Sequence, residues 1–247
     1  MKINIKNLIK KFFSYAAWNN FLSVYQYYKF SFFRIYSSRG SIDKKLVKLL
    51  NNRKNGFFLE VGAYNGISES VSLRLETEYN WKGILIEPNP IHFKFLKKNR
   101  GKNICLNCIC LNQQKINQKM YIKNLNQMSY LVNENDNFEL NSYPIKKINI
   151  LARESMSGNF EKFACEVQTL KNILESQKIK KIDLAIIDVE GSEIDLLDGI
   201  DFDNVDIDLF CIETYNFKKL DIFMHNKNYI FVKKLHKEDY VYRKIRN

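Results

Sequence analysis

Proline and glycine are scarce, 3 and 9 among 247 residues. That excludes collagen-like and low-complexity architectures, which depend on those residues. No apolar run reaches roughly 18 residues, so no segment reads as a membrane-spanning helix. The basic start, MKINIKNLIKKFF, does not lead into a clean apolar stretch with a small-residue cleavage site, and a signal peptide is not expected. Five cysteines, an odd number in a chain this long, offer no disulfide framework and suit a reducing compartment, so a cytoplasmic protein is expected. Acid is nearly missing from residues 1–54, where Asp43 alone faces twelve Lys and Arg. That segment therefore holds +11 of the formal net +12, and the remaining 27 basic and 26 acidic residues nearly cancel. A uniformly basic nucleic-acid groove is excluded from the larger part of the chain.

What is present is a large apolar share, 45%, with 14% aromatic residues. It suffices for one domain of about 200 residues plus an arm. Residues 1–40 read as the arm: aromatic, basic, with Ile5, Leu8, Ile9, Phe12 and Phe13 at helical spacing. It can pack on the domain or touch an anionic membrane surface from the cytoplasmic side. Residues 41–247 read as the domain, opening with a short helical pattern over Ile42–Leu50.

From residue 57 strands alternate with helical stretches. FFLEV at 57–61, GILI at 83–86 and NICLNCICL at 103–111 read as strands. Glu69–Glu78 and Pro90–Arg100 read as the intervening helices. After a polar stretch at 112–162 come strand 163–167, helix 170–176, strand 182–189, a helix to Leu197, strand 207–213, helix 217–227, and late strands at 229–233 and 240–243. This order predicts a Rossmann-like α/β fold, a mostly parallel central sheet with helices on both faces. A long polar insertion such as 112–162 reads as an active-site cover or a partly mobile insertion.

Two features fall in register. The first strand ends in a glycine turn, Glu60-Val-Gly62-Ala-Tyr64-Asn-Gly66. The second ends in Glu87, placed to accept hydrogen bonds from ribose hydroxyls. The glycine spacing does not fit a dinucleotide fingerprint. FLEVGAYNG, WKGILIEPNP and IIDVEGSEIDLLDGI, in that order, resemble the FkbM-type methyltransferases that use S-adenosylmethionine (SAM). The resemblance implies a class I methyltransferase fold. It puts Glu60, Gly62 and Gly66 at the methionine end of SAM, with Tyr64 in the same turn. Glu87 should hold the ribose, and Asn107 and Cys108 should lie beside the adenine. Asp188 and Glu190 occupy the acidic motif and are the candidate catalytic residues.

Strand ends in such folds face the ligand cleft, so Asp188 or Glu190 can serve as general base or substrate acceptor. With Glu213 they could also hold a hard divalent ion, though no metal is expected. Glu193 reads as an acid at a helix start. Cys105, Cys108 and Cys110 sit in an apolar strand without a second ligand pair and read as buried thiols rather than a zinc site. His92 reads as a packing or surface residue. The expected function, taken from the resemblance, is SAM-dependent O-methylation of a glycan or small-molecule hydroxyl. RNA methylation and a catalytically silent SAM-binding or membrane-associated module are the alternatives.

Overall fold

Period-two alternation in short apolar strands sets the architecture. In a computed structural model of the chain, residues 38–116, 120–125, 128–133 and 162–246 are described, with scattered positions between 21 and 36. The elements run α1 (Ile42–Leu49), β1 (Phe57–Val61), α2 (Leu73–Tyr79), β2 (Lys82–Ile86), α3 (Pro90–Arg100), β3 (Ile104–Leu106), β4 (Ile109–Cys110), β5 (Met120–Leu125), β6 (Met128–Asn133), β7 (Lys162–Cys165) and β8 (Val167–Gln168). They continue with α4 (Leu170–Ser176), β9 (Lys181–Ile182), β10 (Leu184–Ile187), α5 (Glu193–Asp198), β11 (Asp206–Ile207), β12 (Leu209–Glu213), α6 (Phe217–Asn226), β13 (Tyr229–His236) and β14 (Asp239–Lys244).

The main sheet has seven strands in the order β13-β14-β12-β10-β1-β2-β3. The five from β12 to β3 are parallel, and β14 and β13 close the other edge as an antiparallel pair. Successive side chains point to opposite faces. Leu59, Val61, Ala185 and Ile187 join Leu170, Ile173, Leu196 and Leu220 of α4, α5 and α6. Phe58, Leu85, Leu184 and Ile186 join Leu46, Leu75 and Leu96 of α1, α2 and α3. Both faces are thus covered, which is why these strands are apolar throughout.

The chain leaves β1 for β2 and β3 on one side and returns on the other side at β10. Where strand order reverses, the crossovers diverge and open a crevice beyond the carboxyl ends. The acidic motif and the glycine turn both end there.

Three stretches depart from the sequence reading. Helix α2 starts at Leu73 rather than Glu69, because Ser70, Val71 and Ser72 bond to the Glu60 carboxylate instead of opening a helix. The strand expected at 103–111 breaks in two: Asn107 turns its amide onto the carbonyls of Glu87 and Pro88, 2.8 and 2.9 Å away. β4 then pairs with β8 rather than with the main sheet. The polar stretch 112–162 holds two strands its composition hid: β5 pairs antiparallel with both β6 and β7. Most of the arm before residue 38, and residues 134–161, lie outside the described residues. Among the described residues no helix is long and apolar enough to cross a membrane.

Candidate active site

A cleft lies over the β1–β10 crevice, lined by the ends of those strands, the glycine turn, the turn after β2 and the residues of β4. Its floor exists because Gly62 lacks a side chain. Gly62 has φ of 88°, and a Cβ there would stand 1.8 Å from the Asp188 carbonyl oxygen. Its amide and that of Ala63 both donate to the Ile86 carbonyl at 3.0 Å. Three strand ends are thereby drawn together.

Glu87 is buried at the cleft wall, 5% exposed. Its carboxylate accepts the amides of Tyr64 at 2.8 Å and Asn89 at 2.9 Å. Asn89 in turn caps α3, accepting the Ile91 amide, with Pro90 at the first helical position. His92, on the first turn of α3, is buried, lies edge-on to the Tyr64 ring at 4.3 Å and has Nδ1 3.8 Å from the Glu87 carboxylate. It lines the cleft. Nothing in its spacing marks it, and only the αL turn at Tyr64, φ 50°, brings the two rings together.

Glu60 also lines the cleft, yet its oxygens are engaged by the hydroxyls of Ser70 and Ser72 and the Val71 amide. Behind those serines stands Arg100, 1% exposed, donating to Ser70, Ser72 and the Gly66 carbonyl and paired with Glu76. Gly66 belongs to this rear network. A Cβ on it would come 2.6 Å from Arg100 Cγ and 2.8 Å from Leu96 Cδ1, so its bare face turns to α3 and away from the cleft. Asn107 is exposed and fastens the turn after β2 rather than lining the cleft. Cys108, Ile109, Cys110 and Leu111 form an apolar wall. Cys105 packs on the opposite face of the sheet from Cys108 and Cys110, so the three thiols do not converge. The described cysteines are all free.

Asp188 follows β10 and Glu213 ends β12, each next after the paired residues Ile187 and Ile212. Burial raises the Asp188 carboxyl well above the usual carboxylate range. The nearby charges of Glu213 and Glu190 add to the rise, Arg39 opposes it, and a hydrogen bond shared with Glu213 raises it further. Glu190 and Gly191 both take positive φ, 53° and 106°. For Glu190 that is a strained conformation held by its surroundings, and it turns the residue into the cleft lining. Glu193 at the start of α5 accepts the Gly191 amide at 2.6 Å and faces Thr214. Among the described residues no group of three His, Cys, Asp or Glu is placed to hold a metal ion.

The structure therefore brings Glu60, Gly62, Tyr64, Glu87, Cys108, Asp188 and Glu190 around one cleft and leaves Gly66 and Asn107 behind its walls. It adds His92 and, from the arm, Arg39.

Among known proteins, Methyltransferase sdnD of Sordaria araneosa is 27% identical over 168 residues, covering 62% of this chain and 63% of its own length. The chain thus spans less than two thirds of that relative. A precorrin-6y C5,15-methyltransferase from Geobacter metallireducens superposes with a TM-score of 0.42 at 10% identity, over 85% of this chain and 95% of the other. A methyltransferase from Pyrococcus furiosus gives 0.41 at 12% identity, over 92% and 98%. The Methyltransferase FkbM domain matches residues 60–237, from the glycine turn to the hairpin beyond the acid pair. The chain belongs to the FkbM methyltransferase family.

Proposed function

We propose that this chain transfers a methyl group from SAM to a hydroxyl oxygen of a saccharide or other small acceptor. The observation that carries the oxygen preference is the Asp188–Glu213 carboxyl pair at the strand ends beside the cleft. A hydroxyl is a weak nucleophile, and a carboxylate with a raised pKa is a stronger proton acceptor than an ordinary one.

The cleft residues fit the cofactor that the family uses. A carboxylate offers about four lone-pair directions, and the two amides on Glu87 leave the others for two ribose hydroxyls. The bare face of Gly62 takes the Asp188 carbonyl and so holds the glycine turn against the acid-bearing strand end. The apolar wall from Cys108 to Leu111 suits a flat heterocycle. When bound, SAM supplies a methyl group already activated on a sulfonium. The protein then needs to align the acceptor, exclude water and take the hydroxyl proton. Asp188 and Glu213 take that proton, and Glu190 orients the acceptor from the strained turn.

The near neutrality of residues 55–247 supports a small acceptor over RNA. The test is turnover of methyl-labelled SAM against neutral saccharides, small phenols and an RNA oligonucleotide. Asp188→Asn should keep SAM affinity and lose about 10²–10⁴ in kcat, the range for a general base. Full turnover in that variant, or labelling of RNA alone, overturns the reading.

A further inference from the structure

We propose that Arg39 is a positioning residue for the transfer step, clamping the cleft mouth between Glu69 and Glu213 and keeping the Asp188–Glu213 pair ready to accept a proton. This rests on the reading of that pair as the proton acceptor.

Arg39 Nε donates to Glu69 at 2.7 Å, on the loop after the glycine turn. Its Nη1 lies 3.6 Å from Glu213 Oε1. One guanidinium therefore spans from the cofactor loop to the acid pair, and it lines the cleft. The Glu69 pair is exposed on both sides, 43% and 46%, and such pairs add little stability. What distinguishes Arg39 is how its backbone is held.

On the far side, Gly40 takes φ of 52°, and a Cβ there would come 2.5 Å from the His236 ring on β13. Lys45 donates to the Leu235 carbonyl on the same strand. On the near side, Ser38 bonds to Asp43, which pairs with Arg74 at 2.6 Å. Arg74 lies over the Tyr36 ring at 3.8 Å, and the Tyr36 hydroxyl meets Thr77 at 2.8 Å. Residue 39 is thus pinned at both ends, with its charge delivered to the mouth.

The groups facing Asp188 are mostly acidic. Glu190 stands on its own turn, Glu213 and Cys211 on β12 and Tyr215 just beyond; Asp239 on β14 neighbours Glu213. His236 lies 3.7 Å from Asp239. Arg39 opposes the upward shift of both Asp188 and Asp239. Removing that cation leaves the acids to hold protons more tightly, and a protonated pair cannot take another from the acceptor.

Arg39→Gln and Arg39→Lys are compared with wild type in two measurements. In carbon-13 NMR, the Asp188 carboxyl, assigned by its loss in Asp188→Asn, should titrate about one pH unit higher in Arg39→Gln, and Arg39→Lys should restore it. In the kcat–pH profile the acid limb should move the same way. Melting curves check that the exposed substitution leaves the fold intact. An unmoved Asp188 midpoint in folded Arg39→Gln overturns the proposal, whatever happens to the rate. A moved midpoint in a protein that methylates no hydroxyl acceptor leaves the electrostatic role standing and removes the transfer reading instead.

Discussion

Replacing Glu87 by Gln tests the cofactor side of the cleft while keeping its shape. The Tyr64 and Asn89 amides both point at the Glu87 carboxylate. A glutamine offers one oxygen and one NH₂ group, so one of the two amides meets a donor. Hydrogen bonds to charged groups are worth about 1.5–3 kcal/mol, and at a site 5% exposed no water replaces the lost one. The fold should lose about that much. The cofactor term is separate: two ribose hydroxyls would meet a neutral, half-donor group instead of a carboxylate. A further loss of about 1.5–3 kcal/mol weakens SAM binding about ten- to hundredfold. Thermal melting reads the first effect, and calorimetry with SAM on the folded variant reads the second. A folded Glu87→Gln protein whose SAM affinity stays within about twofold of wild type refutes the ribose assignment.

Other outcomes follow from the same geometry. Gly66→Ala places a methyl against Arg100 and Leu96 at a positive φ, so stability should fall by about 1–3 kcal/mol. SAM affinity of the folded fraction should not change, and a selective loss of affinity in a normally melting protein would return Gly66 to the cleft. The Glu193 carboxyl is raised from 4.5 to about 7, chiefly by burial. Its native form therefore keeps a proton that the unfolded chain releases, and this stability is full below about 4.5 and lost as pH rises through about 7. Glu193→Gln should flatten that limb and gain at most about 3 kcal/mol at pH 8. Denaturant midpoints at pH 5 and 8 that shift equally in both proteins would count against it. Finally, we propose that residues 1–35, basic and rich in Phe and Tyr, hold the protein at an anionic membrane surface. Deleting them while keeping the Tyr36–Ser41 anchor should leave SAM binding intact and abolish sedimentation with phosphatidylserine vesicles. A full-length protein that ignores those vesicles at low salt ends the idea.

The parallel sheet was legible because its strands are short apolar runs, β1 and β10 leading into glycine turns, with 217–227 and 170–176 between them as clear helical patterns. Glu87 and Asp188 were legible because each closes such a run. The errors have local causes. Asn107 looked like part of a strand because its neighbours Leu106, Cys108 and Ile109 are apolar, and its side-chain bonds to two carbonyls have no period. Ser70 and Ser72 looked helical until Glu60 claimed them. Gly66 sits in the same motif as Gly62, yet one glycine makes room for a strand and the other for a helix. His92 and Arg39 reach the cleft only through tertiary contacts. The hairpin β5–β6 was not legible because its short apolar strands sit within a stretch rich in Asn, Gln and Lys and lie outside the main sheet.

The contact between Gly62 and the Asp188 carbonyl also bears on how such a domain can diversify. Because the glycine turn and the strand end that carries Asp188 meet backbone to backbone, the spacing between them is set by the scaffold and not by side chains. A change of acceptor therefore cannot come from sliding one against the other. It has to come from the cleft mouth, where the Arg39 segment lies. Exchanging that segment between related domains is the economical route to a new acceptor, and the floor beneath it can stay as it is.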